Sequence, residues 1–109
     1  MVKYLEVTMK NGEVWRVPAS IIAMERAIYY IEHDIKSGDV KEEDRDEALD
    51  QEYMNGYEDN YNITDWAGNN MNWSDIKDKA IRMPTPPLTD KQYEEDWQNG
   101  KRKVIDIKE

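Results

Sequence analysis

The sequence predicts an α+β fold: a small antiparallel sheet, formed by an N-terminal hairpin plus a C-terminal strand, packed against a long central helix with three further short helices. Three observations lead there. Residues 2–9 and 14–17 are rich in β-formers and flank an Asn11-Gly12 turn. Residues 18–36 repeat apolar side chains at spacings of three and four. Near the C-terminus Ile105 and Ile107 alternate with Val104 and Asp106, as in a short strand that would be the third in the sheet.

The hairpin register follows from its two faces. A two-residue Asn-Gly loop would set Val7 against Arg16 and mix apolar with polar. A three-residue loop, Lys10-Asn11-Gly12, sets Val7 against Trp15, Leu5 against Val17 and Glu6 against Arg16, so the faces separate and one opposite-charge pair forms. Gly12 then takes the left-handed bulge position. In the central helix Pro18 suits the first turn, and Ser37-Gly38-Asp39 supplies the stop. Ile21, Met24, Ile28, Ile31 and Ile35, with Ala27 beside them, form the stripe expected to face the sheet. Ile22 and Tyr29 lie on another flank in line with Arg26 and His33, and that flank needs a cover.

Residues 39–59 form an acidic arm with ten carboxylates against Lys41 and Arg45 alone. Asp39 with Glu42 reads as a capping box for a helix to about Met54, ended by Asn55-Gly56. Its apolar content is chiefly Leu49 and Tyr53, so the arm must lean on a neighbour, by charge and shape the Arg26 flank. Ile63 to Ala67 reads as one helical turn stopped at Gly68-Asn69-Asn70. Asn72 caps a further helix with Trp73, Ile76, Ala80 and Met83 facing inward and Asp75 in its first turn. Residues 84–87 (Pro-Thr-Pro-Pro) read as an extended connector. Thr89 with Gln92 opens a helix to Gln98 that presents Tyr93 and Trp97.

Composition narrows function by exclusion. The chain of 109 residues is expected to be a single domain, residues 1–109. It has no cysteine, which removes disulfides and cysteine-based zinc sites. No apolar run approaches the length that spans a bilayer and no signal peptide is visible, so a cytoplasmic location with no membrane partner is expected. A net charge of -9, from 24 acidic and 15 basic residues, repels phosphate backbones and argues against direct nucleic-acid binding. Phenylalanine is absent, and seven Tyr, four Trp and six Met carry the large apolar surface.

Chemical signatures are missing. His33 is the only histidine, so neither a His-based metal site nor a Ser-His-Asp triad assembles from other residues. With Gly56 at the glycine position of a calcium loop, Gln51, Tyr53 and Asn62 fall where carboxylates belong. No phosphate-binding or nucleophile-elbow motif occurs. No cofactor, metal or catalytic residue is therefore expected, and the protein is expected not to be an enzyme. Residues 65–73 place two Trp and three Asn in nine positions, which suits either core anchors with capping asparagines or a recognition loop.

Two stretches, V-T-M-x-x-G-x-x-W-x-V-P-x-x-x-I-A over residues 7–23 and D-W-A-x-N-N-M-N-W over residues 65–73, resemble segments of small uncharacterised acidic bacteriophage proteins. The resemblance covers about half of the chain and carries no catalytic motif. The resemblance implies no activity and no binding residues, and supplies only a context, since small acidic phage proteins often act by binding and diverting host machinery. From the charge of -9, the tyrosines beside the acidic arm and the lack of a catalytic set, the expectation is a phage-type accessory protein of a bacterial host cytoplasm that binds another protein. The partner-binding residues expected are Glu42, Glu43, Asp46, Tyr53, Tyr57 and Tyr61, with the carboxylates steering and the tyrosines holding. Two alternatives stay open, an acidic DNA mimic that occupies a nucleic-acid-binding host protein and a small metal-binding or enzymatic domain. A homo-oligomer is compatible with the sequence.

Overall fold

The computed structural model describes residues 2–9, 12–82, 94, 97–98 and 100–107. Strand β1 (Val2–Thr8) and strand β2 (Val14–Pro18) form the hairpin, followed by helix α1 (Ala19–Ser37). A short 3-10 turn (Glu42–Asp44) leads into α2 (Arg45–Glu58), then α3 (Asn60–Asn70) and α4 (Trp73–Ile76). Strands β3 (Ile81–Arg82) and β4 (Lys101–Ile107) complete an antiparallel sheet in the order β3-β2-β1-β4. The α+β class, the hairpin and the C-terminal strand are as the sequence predicts, with β3 as an addition.

The hairpin adopts the three-residue register, with Val7 opposite Trp15, Leu5 opposite Val17 and Glu6 opposite Arg16. Glu6 is bound by Arg16 at 3.1 Å and by Lys103 of β4 at 3.6 Å, so one carboxylate ties three strands on the outer face. Gly12 has φ +87°, the left-handed conformation open to a residue without Cβ. On the inner face Leu5, Val7 and Val17 are fully buried against Ile22 of α1, Ile63 of α3, Ile76 of α4 and Trp97. Trp66 and Trp73 belong to this core, which decides residues 65–73 in favour of anchors. The Trp97 indole donates to the Met71 carbonyl at 2.9 Å and satisfies its buried N–H.

Five sequence expectations need correction. Of the stripe expected to face the sheet only Ala27 and Ile31 are buried; Met24 and Ile28 are 39% and 46% exposed. The buried face of α1 is instead Ala19, Ile22, Ala23, Ala27 and Ile31. The acidic helix does not start at a capping box, since Asp39 accepts a hydrogen bond from Ser37 and the Asp44 side chain caps nothing. Nor does it stop at Asn55-Gly56, because a bare Cα at Gly56 lets α2 pass close to Ala23 and Arg26: a Cβ there would lie 3.3 Å from the Arg26 guanidinium. The turn expected at residues 63–67 is an eleven-residue helix running through Gly68, where the Arg102 guanidinium fills the space a Cβ would take, at 2.9 Å. Asn72 caps its helix as expected, and Asp75 closes a capping box with it, but the helix ends at Ile76, and residues 81–82 turn into β3. The connector at residues 84–87, Met83 and the Thr89–Gln92 capping box lie outside the described residues.

Candidate functional site

Helix α1 carries two apolar stripes, and packing decides between them by size. Ala19, Ala23 and Ala27 recur every fourth residue and let α2 approach closely. Helix α2 runs back along them with Gly56 at Ala23, Glu52 at Arg26 and Arg45 at Glu32. Arg26 meets Glu52 at 2.8 Å while its guanidinium stacks over the Tyr30 ring at 4.9 Å, so the arm docks at Arg26 as expected, whereas Ile22 of the expected flank is buried in the core and His33 is largely exposed. Trp66 of α3 packs against Tyr29 and against the same Tyr30, with centroids 5.3 and 5.7 Å away.

The bulkier stripe is left facing out. On a wheel of roughly 100° per residue, Ile21, Met24 and Ile28 fall within about 60° of one another. They floor an open groove of about 560 Å³, walled by Tyr53 of α2 on one side and by Lys79, beyond α4, on the other. Glu25 stands at its rim. Partial burial, with Asp75 adding repulsion, pushes the Glu25 carboxyl above the usual carboxylate range, and Lys79 offsets part of this. Burial, with Tyr57 beside it, also raises the Tyr53 phenol.

The six residues expected to bind a partner fall into three places. Tyr53 lines the groove and stacks on Tyr57, with centroids 5.7 Å apart and planes at 16°. Tyr57 is half-buried against the core, and Lys3 anchors it by donating to its carbonyl at 2.6 Å and lying over its ring. Tyr61, in the first turn of α3, is 72% exposed. Glu42 is gripped by Arg45 through two hydrogen bonds of 2.8 and 2.9 Å, which hold its carboxyl below the usual range. Arg45 also reaches Glu32, so Glu42 helps to join α2 to α1. Glu43 and Asp46 are exposed at the start of the helix. Asp46 and Tyr57 are eleven residues apart on α2, about 16 Å along the axis, so charges and aromatics sit at opposite ends of it.

Sequence reasoning missed Met24 and Ile28 as exposed residues, with Ile21 half-buried beside them. The signal that identifies them is the alanine repeat, which marks the face where another helix must come close. Among the described residues no group of three or more His, Cys, Asp or Glu side chains could hold a metal ion. His33 is largely exposed, with Nδ1 3.7 Å from the Asp34 carboxylate. No helix of the described residues is long and apolar enough to cross a membrane.

No protein-family model, curated protein or solved structure matches this chain.

Proposed function

We propose that this protein acts by occupying another protein, without catalysis, through the groove over Ile21, Met24 and Ile28. One observation carries the reading: Met24 and Ile28 of the longest helix are exposed while its alanine stripe is buried. Exposed aliphatic side chains gathered along one helix cost solubility, and a bordering aromatic such as Tyr53 is the kind of residue that dominates binding energy. The acidic surface of α2 beside the groove favours a partner that is apolar at the contact and basic around it. Glu43 and Asp46 steer the encounter, Tyr53 and Tyr61 make contact, and Glu42 and Tyr57 hold the scaffold that presents them. The setting that the phage resemblance implies is a host cytoplasm, where such a protein diverts a component of the host.

Exposed carboxylates along the 3-10 turn and α2, Glu43, Asp46, Glu47 and Asp50, favour a second reading, a mimic of nucleic-acid phosphates. The experiment separates the two. A partner recovered by affinity capture is purified and its binding kinetics measured. Met24→Asp with Ile28→Asp should weaken binding at least tenfold with an unchanged circular dichroism spectrum, chiefly through faster dissociation. Reversing Glu43 and Asp46 to Lys should slow association and flatten its salt dependence. Competition by duplex DNA for the same partner site, with the groove variants binding normally, would replace the groove reading by mimicry. Turnover of a small molecule by the purified protein would refute both.

A further inference from the structure

The two edges of the sheet are unequal. At one end β3 is two residues long, a short edge that offers little to pair with. At the other end β4 is seven residues long, and among the described residues no strand pairs its outer side. We infer that the β4 edge joins a second copy of this chain, antiparallel about Val104, making a continuous eight-stranded sheet across a two-fold axis.

The sequence of β4, Lys-Arg-Lys-Val-Ile-Asp-Ile, selects that register. A symmetric antiparallel pair must match residues of equal parity, or each side chain faces the wrong layer. Centring on Lys103 sets Lys103 against its own copy, a like-charge contact. Centring on Ile105 shortens the ladder and places Asp106 against Val104. Centring on Val104 pairs all seven residues, with Arg102 opposite Asp106 twice, Lys103 opposite Ile105 and Lys101 opposite Ile107. The charges beside the edge fit this. Lys103 is already engaged by Glu6 on its own sheet, at 3.6 Å, which blunts the usual role of an edge lysine in repelling strands. Arg102 is half-buried over the Trp97 ring, donates to the Trp97 carbonyl, and has no carboxylate partner among the described residues. Burial lowers its pKa, the mark of a charge that lacks compensation. Asp106, exposed on the same face of β4, is the carboxylate that a second copy would bring to it.

Absence of cysteine makes the test clean. In an antiparallel pair the residues on the two-fold lie about 4.5 to 5.5 Å apart at Cα, within disulfide reach. Val104→Cys should therefore form a covalent dimer under mild oxidation, while Ile105→Cys, opposite Lys103, should do so at least tenfold more slowly. Light scattering on the unaltered protein at about 100 μM should give twice the 13.0 kDa chain mass. Asp106→Lys sets a cation against Arg102 and should raise the dimer dissociation constant at least tenfold, with the circular dichroism spectrum unchanged. A monomer at that concentration overturns the inference. So does a dimer that survives Asp106→Lys, cross-links equally at both cysteines, or is lost only with Met24→Asp, which would put the contact on α1. The inference does not depend on the groove reading, and either can fail alone.

Discussion

Glu25 shows how one side chain reports on the groove. Its carboxyl is raised by partial burial and by Asp75, so in the window just above the ordinary glutamate value the native state holds a proton that the unfolded chain has released. Native proton binding exceeds unfolded binding there, and stability must fall as pH rises through the window. Glu25→Gln removes the titration. Thermal melts from pH 4 to 7 should show a flatter pH dependence for the variant than for the unaltered protein. Identical slopes would mean that Glu25 is fully solvated and that the rim of the groove is drawn wrongly. Little of this was legible in the sequence, because Asp75 and Lys79 are fifty or more positions from Glu25 and only folding brings them to it. The Glu6–Arg16 pair was legible, since period-two alternation and a three-residue loop determine it locally.

Elements were legible where one local signal ruled and illegible where two competed. Periodicity placed α1 to within a residue at each end, but both of its flanks are apolar, and periodicity cannot say which one turns inward. The larger side chains suggested one face; the space left by three alanines selected the other. At residues 55–56 a turn signal competed with continuation, and the close approach of Arg26 and Ala23 decided for the helix. Strand β3 gave no signal at all, being two residues that follow a helical pattern. Helix α2 buries only Gly56 of its fourteen residues, and carboxylates crowd its outer surface. Amide hydrogen exchange should accordingly be faster across residues 45–58 than across residues 21–31. Equal protection in both segments would show that α2 is covered by something beyond this chain.

At the scale of the whole molecule, the large apolar residues fill one core, while on α1 the alanines are buried and Met24 and Ile28 stay outside. One layer of helices covers the inner face of a four-stranded sheet, with Leu5, Val7, Ile22, Ile63, Ile76 and Trp97 between them. Global stability should depend on that set and hardly at all on the outward stripe. Ile22→Ala should cost about 2–5 kcal/mol, as a fully buried isoleucine does. The most direct measurement is the unfolding free energy, by urea denaturation, of the Met24→Asp and Ile28→Asp double variant. If the stripe is a free surface kept for a partner, the loss should stay within about 1 kcal/mol, as for surface substitutions. A loss of about 4 kcal/mol or more would place Met24 and Ile28 in the core and contradict the central claim.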